Sequence, residues 1–214
     1  QSSKFCLRSA VIEFSHARPG SKFAIWLLVF SAAVAVTNAL IAFGWLDVSG
    51  ARQLAARGSL SGSLIGGLMF GAGMILARGC ASRLLVLSAT GNLRALISGL
   101  VLTVVGQASL RGVLAPVREA LSELWTVQGG PSRNLLAFVD AGAVTGMLLG
   151  MLGLGGALWL ARRARVGLVA GASAVGVGLA VAAGWLFTFH VSQSSFNLVQ
   201  VKSISFIGPS ADTL

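Results

Sequence analysis

Runs of about twenty apolar residues with almost no charge recur along this chain, and no other feature narrows its fold so far. Phe23–Leu46 and Val166–Phe189 contain no Asp, Glu, Lys or Arg, and Leu135–Leu160 contains only Asp140. A hydrocarbon core about 30 Å thick is crossed by about twenty helical residues, so runs of this length read as transmembrane helices. Composition agrees: 55% of the 214 residues are hydrophobic and 10% are charged, against about 25% charged residues in a soluble domain. The fold class expected is all-α, a polytopic transmembrane helical protein.

The formal charge of +10 would suggest nucleic acid in a soluble protein. Here the basic residues flank apolar runs and form no aromatic-interleaved patch, so membrane topology accounts for them and nucleic acid is not an expected partner. The chain has two cysteines, Cys6 and Cys80, and two histidines, His16 and His190. They make neither a disulfide framework nor zinc-ligand spacing, so no metal or cofactor is expected.

In chain order, residues 1–22 carry Lys4, Arg8, Arg18 and Lys22 around a short apolar patch, Ala10–Phe14. They read as an amphipathic segment at the membrane surface. Phe23–Leu46 follows, with Trp26 and Trp45 as interfacial aromatics and Asn38 as its strongly polar interior residue. Gly62–Ala77 would be about 24 Å long at 1.5 Å per residue, short of the hydrocarbon thickness. It ends in the polar turn Arg78-Gly79-Cys80-Ala81-Ser82-Arg83. Leu84–Leu87 is apolar, Ser88–Asn92 interrupts, and Leu93–Ala108 is a second short arm with Arg94 near its start. Two short arms joined through a glycine-bearing break predict discontinuous or re-entrant helices, which membranes tolerate where the broken backbone is buried or lines a cavity.

A short helix is expected at Leu114–Leu124. In Leu135–Leu160 the repeat Gly142, Gly146, Gly150 predicts a ridge for close helix contact. Gly62, Gly66, Gly67, Gly71 and Gly73 are expected to serve packing in the same way. The basic loop Ala161–Arg165 should be cytoplasmic by the positive-inside rule. That places Ser109–Asn134 outside and residues 1–22 inside.

Cys80 is the sharpest candidate for chemistry. Backbone N–H groups freed at a helix break, with Arg78 and Arg83 nearby, would draw an anion and activate a thiol. The competing reading is a turn that reaches the surface, where two arginines mark topology and the cysteine is incidental. Cys6 repeats the pattern in Lys4-Phe5-Cys6-Leu7-Arg8, where a simple buried or surface thiol is the alternative. Arg94 could face the same cavity as Cys80 or snorkel to headgroups. Asp140 could couple protons or sit at the interface.

With these residues in view, the chain resembles the YeeE/YedE family of bacterial sulfur-transport membrane proteins. The resemblance rests on Gly71-Ala72-Gly73-Met74-Ile75-Leu76-Ala77-Arg78-Gly79-Cys80-Ala81-Ser82, similar to the family's glycine-rich helix leading into Gly-Cys. Phe5-Cys6 and the tail Val201–Asp212 reinforce it, the tail being similar to the start of the family's second half. The resemblance implies a multi-pass protein of the bacterial inner membrane that moves thiosulfate or a related small sulfur-containing anion along a cysteine relay.

On that basis residues 1–214 form a membrane-embedded sulfur-transport-like domain with spans near 23–46, 62–77, 84–108, 135–160 and 166–189. Residues 190–214 would begin an incomplete second half of a pseudo-symmetric repeat. Cys80, Cys6, Gly79, Ser82, Arg78 and Arg83 are the substrate-binding candidates. The lipid bilayer and a cytoplasmic sulfur-accepting protein are the other partners implied. Arg78 departs from the family pattern, where a small residue is commoner, and this implies altered selectivity or a displaced positive charge. Other readings are transport of a selenium species, a membrane sulfurtransferase with a Cys80 persulfide, and a non-transporting scaffold.

Overall fold

The computed structural model describes residues 6–16, 20–49, 51, 57–129, 142–196 and 201–205. These are overwhelmingly helical: α1 (Leu7–Ser15), α2 (Ser21–Ala42), α3 (Leu60–Leu76), α4 (Ala81–Ala89), α5 (Leu93–Arg111), α6 (Ala115–Glu123), α7 (Ala143–Arg163) and α8 (Leu168–Ser194). Two-residue strands β1 (Gly58–Ser59) and β2 (Thr126–Val127) pair antiparallel. Five stretches are long and apolar enough to cross a membrane: α2, Leu60–Ala89, α5, α7 and α8. The expected all-α polytopic class is therefore the class observed. Asp140, Lys4, Phe5, Arg18 and the tail beyond Ser205 lie outside the described residues.

The chain divides into two compact units, residues 1–56 with 128–204, and residues 57–127 with 205–214. In the first unit α2 is the centre, packed against both α7 and α8. Its core is Ala24, Ile25, Leu28 and Val29 of α2, Ala157 and Ala161 of α7, and Ala174 of α8. Small residues let the backbones approach. A Cβ on Gly150 would lie 2.6 Å from the Cα of Ala35, and one on Gly153 would lie 2.9 Å from the Ser31 hydroxyl. One on Gly178 would lie 2.7 Å from the Ala32 Cβ. Pairing of 150 with 35 and 153 with 31 makes α7 antiparallel to α2. The ridge predicted on α7 thus includes Gly150 and the buried Gly146 but not Gly142, which is the N-cap and would have an open Cβ position.

Helix α1 docks on α2 through an acid that the basic composition of this segment obscured. One carboxylate oxygen of Glu13 accepts the backbone N–H groups of Lys22 and Phe23, each at 2.9 Å. It satisfies donors that a helix start leaves without partners and sits at the positive end of the α2 dipole. Phe14, Phe23, Trp26 and Phe30 continue the contact as successive stacked rings 5.3–6.3 Å apart.

In the second unit α3 starts at a polar seam. Ser59 is its N-cap and accepts the Gly62 N–H at 2.7 Å. Ser61, buried, donates to the Leu121 carbonyl at 2.8 Å and accepts the Trp125 N–H at 3.2 Å. These bonds tie α3 to the end of α6. Farther along, α3 meets little: Gly66, Gly67, Gly71 and Gly73 would each have an open Cβ position. The expectation that these glycines serve packing is corrected here; within the described residues only Gly62 of that set has close neighbours, Ser59 and Ser122. Leu64, Leu68, Met69 and Ile75 of α3 are 62–69% exposed.

Candidate functional site

The break between α3 and α4 is tighter than the six-residue polar turn expected. Helix α3 ends at Leu76 with Ala77 as its C-cap, and Arg78 takes the left-handed conformation at φ 55°. That position after a helix usually holds glycine, because a side chain there costs about 1–2 kcal/mol. An arginine there does place a cation near the negative end of the helix dipole. Arg165 does the same after α7, at φ 52°. Gly79 then passes beneath Arg83, whose Cδ would lie 3.5 Å from a Cβ on that glycine.

Cys80 is the N-cap of α4, and its extended backbone turns the chain into the new helix. Ser82 and Arg83 therefore belong to the first helical turn and not to the loop. The Cys80 side chain is buried at 7% exposure, while Arg78 and Arg83 on either side are exposed. Its Sγ lies 3.2 Å from the Ser82 hydroxyl, a hydrogen bond in which either group can donate. The thiol makes no capping bond to the helix, so the N–H groups of the first turn of α4 are not taken by it. The arrangement sets a soft sulfur beside a hydroxyl at a helix start, with an arginine on either side in sequence. Such a set can hold a small anion by hydrogen bonds and by the helix dipole.

Cys6 has the same local architecture in the first unit. It too is the N-cap of a nine-residue helix, α1, with extended backbone and no side-chain capping bond. It too is buried, at 6% exposure. Arg8, two residues on, buries its Nε without a hydrogen-bond partner among the described residues. Sequence reasoning found both thiols and the bases around them. It missed that both stand at the head of a short helix, although Cys80 stands shortly before the apolar run Leu84–Leu87. The two cysteines are not disulfide-bonded.

Arg94 is exposed in the first turn of α5, behind the N-cap Asn92, whose side chain accepts the Ala95 N–H at 3.1 Å. Asn38 donates one side-chain N–H to the Val34 carbonyl of its own helix at 2.9 Å. Among the described residues no group of three or more His, Cys, Asp or Glu side chains could hold a metal ion. Asp47 follows α2, accepts the Ser49 N–H at 2.8 Å, and that bond holds its carboxyl below the usual aspartate range.

A family model described as Sulphur transport matches residues 2–214. No curated protein matches the chain.

Proposed function

Because the chain belongs to this sulphur-transport family, YeeE/YedE, we propose that it carries thiosulfate or a closely related sulfur anion across a bacterial inner membrane. The observation that supports this most directly is the buried Cys80 thiol at the head of α4, 3.2 Å from the Ser82 hydroxyl. Each part suits such an anion. Amide N–H groups at a helix start and the Ser82 hydroxyl are donors for the oxyanion end. The thiol is a polarizable contact for the terminal sulfur.

Arg78 and Arg83, exposed on both sides of the turn, attract the anion and leave water to screen them, so it is drawn in without being held. Gly79 keeps the turn narrow under Arg83. Cys6, with the same helix-start geometry beside Arg8, is assigned a contact of the same kind. Conduction needs contacts favourable enough to enter and weak enough to leave, and hydrogen bonds to thiols and amides meet both demands without a covalent intermediate. In this reading the cysteines are binding groups, and the chain is a transporter and not an enzyme.

The test is uptake of radiolabelled thiosulfate into vesicles holding the full chain. Cys80→Ala is expected to abolish uptake, and Ser82→Ala to lower it by about tenfold, the loss of one charge-assisted hydrogen bond. Unaltered uptake in Cys80→Ala overturns the assignment of that thiol. A sulfur adduct on Cys80 under turnover, seen by intact mass, would instead favour a persulfide carrier.

A further inference from the structure

Beyond the end of α8, a short described segment lies against that same helix. Val201–Ile204 is neither helix nor strand, and its hydrogen bonds fix it against that helix. The Thr188 hydroxyl donates to the Lys202 carbonyl at 2.6 Å and accepts the Lys202 N–H at 3.1 Å. The Ser203 hydroxyl donates to the Val181 carbonyl, two turns farther down, at 2.7 Å. Between them Gly184 makes room: a Cβ there would lie 3.1 Å from Ile204 Cγ1 and 3.3 Å from the Ile204 nitrogen. The segment therefore runs antiparallel to α8 and down into it.

The depth is what makes this consequential. The apolar run of α8 ends at Phe189; the Ile204 backbone lies level with Gly184, about five residues or about 8 Å of helix below that end, and the Ser203 hydroxyl reaches on to the Val181 carbonyl. Half of a hydrocarbon core is about 15 Å. Backbone outside a helix at that level presents N–H and C=O groups that lipid cannot satisfy. Among the described residues, the N–H groups of Ser203 and Ile204 have no hydrogen-bond partner.

Lys202, held beside Thr188 near the end of that run, adds a cation, and among the described residues no carboxylate lies within ion-pair distance of it. Ionisable groups within a membrane face protein or water-filled cavities. What this element offers its surroundings is positive charge and amide donors, which is the chemistry of an anion contact.

We propose that Val201–Ile204 is a re-entrant element lining a water-filled path, and that Lys202 supplies the fixed positive charge by which that path selects small anions. This deepens the transport reading and rests on it, since it names a selectivity residue on a different part of the chain from either thiol. Lys202 is half-buried. The competing possibility is a lysine that snorkels to headgroups, and charge selectivity at the neighbouring Ser203 separates the two.

The experiment places one reporter thiol in the full chain, Ser203→Cys with Cys6→Ser and Cys80→Ser, reconstituted in vesicles. Labelling rates are compared for an anionic and a cationic methanethiosulfonate of similar size. The anionic reagent is expected to react about tenfold faster, as a locally positive aqueous site concentrates anions. Lys202→Gln should remove that preference and Lys202→Arg should keep it. Leu179→Cys, exposed at a similar level of α8, should react with neither reagent if that face meets lipid.

An unreactive Ser203→Cys, or a charge preference unchanged in Lys202→Gln, overturns the proposal. Should the triple variant fail to fold, the otherwise unaltered Lys202→Gln chain is tested directly: thiosulfate uptake equal to that of the parent overturns it, and a loss restored by Lys202→Arg supports it. Labelling does not depend on transport. Anion-selective labelling with unaltered uptake in Cys80→Ala sinks the thiol assignment alone, and the opposite pair of results sinks this one alone.

Discussion

The two units of this chain use the same apolar, glycine-rich vocabulary for opposite ends. In the first, α2 is gripped by α7 and α8, and 39% of its most apolar stretch is buried. In the second, 6% is buried in Leu60–Ala89 and likewise in α5, and the unit is held at one end by serine hydrogen bonds. Glycine marks the contrast. Gly150 and Gly178 lie against backbone, whereas Gly66, Gly67, Gly71 and Gly73 face open space. The lesson is that a small-residue stripe reports capacity for close approach, and only the neighbours decide whether that capacity is used.

The contrast is broken most directly by filling one glycine in each unit. Gly150→Leu drives a side chain into the Ala35 backbone and should cost about 3 kcal/mol or more in detergent unfolding, at the upper end of overpacking. Gly71→Leu should cost little by the same measurement. An equal loss in both would mean that the open face of α3 is filled by something the chain itself does not supply.

A smaller effect sharpens the account of the second unit. Ser61→Ala removes the buried hydroxyl that joins α3 to Leu121 and Trp125, and should destabilise by about 1–3 kcal/mol by leaving those groups without partners. A neutral result would shift the weight of that unit from its polar seam to helix faces. In the first unit, Glu13→Ala should cost about 1 kcal/mol and raise proteolysis of residues 6–16, since the carboxylate both caps α2 and meets its dipole. Unchanged cleavage would show that the aromatic stack alone holds α1.

The smallest effect is in pH. Asp47 has a lowered pKa because Ser49 donates to its carboxylate. Its contribution is therefore present above the ordinary aspartate value, about 3.9, and is lost as pH falls through the lower folded value. The group is exposed, so the expected readout is its NMR titration and not a change in melting. Ser49→Pro should return that titration to the ordinary range, and an identical curve would contradict the assigned bond.

Much of this was legible in sequence because membranes enforce it. Charge-free runs near Phe23–Leu46 and Val166–Phe189 became α2 and α8, and the break around Gly79-Cys80 separates α3 from α4. Boundaries moved where caps decide them: Ser59 starts α3 two residues early, and Cys80 rather than Arg83 ends the turn. The uses of glycine were hidden because Gly71 and Gly150 look alike until a neighbour is present. Glu13 was legible in principle, a single acid in a basic segment ahead of a helix start. The descent of Val201–Ile204 was not, because nothing in Lys202-Ser203-Ile204 specifies Thr188 and Val181 as its partners.

The seam between α2, α7 and α8 has one more consequence. Glycine and alanine have no rotamers to lose on packing, so joining helices through Gly150, Gly178, Ala32 and Ala35 forfeits almost no side-chain entropy. Contacts of that kind have no slack either, since there are no flexible arms to stretch while the backbones slide. The trio should therefore behave as a stiff frame whose geometry changes little with temperature. Whatever motion transport requires then falls to the pieces joined by single hydroxyls and tight turns.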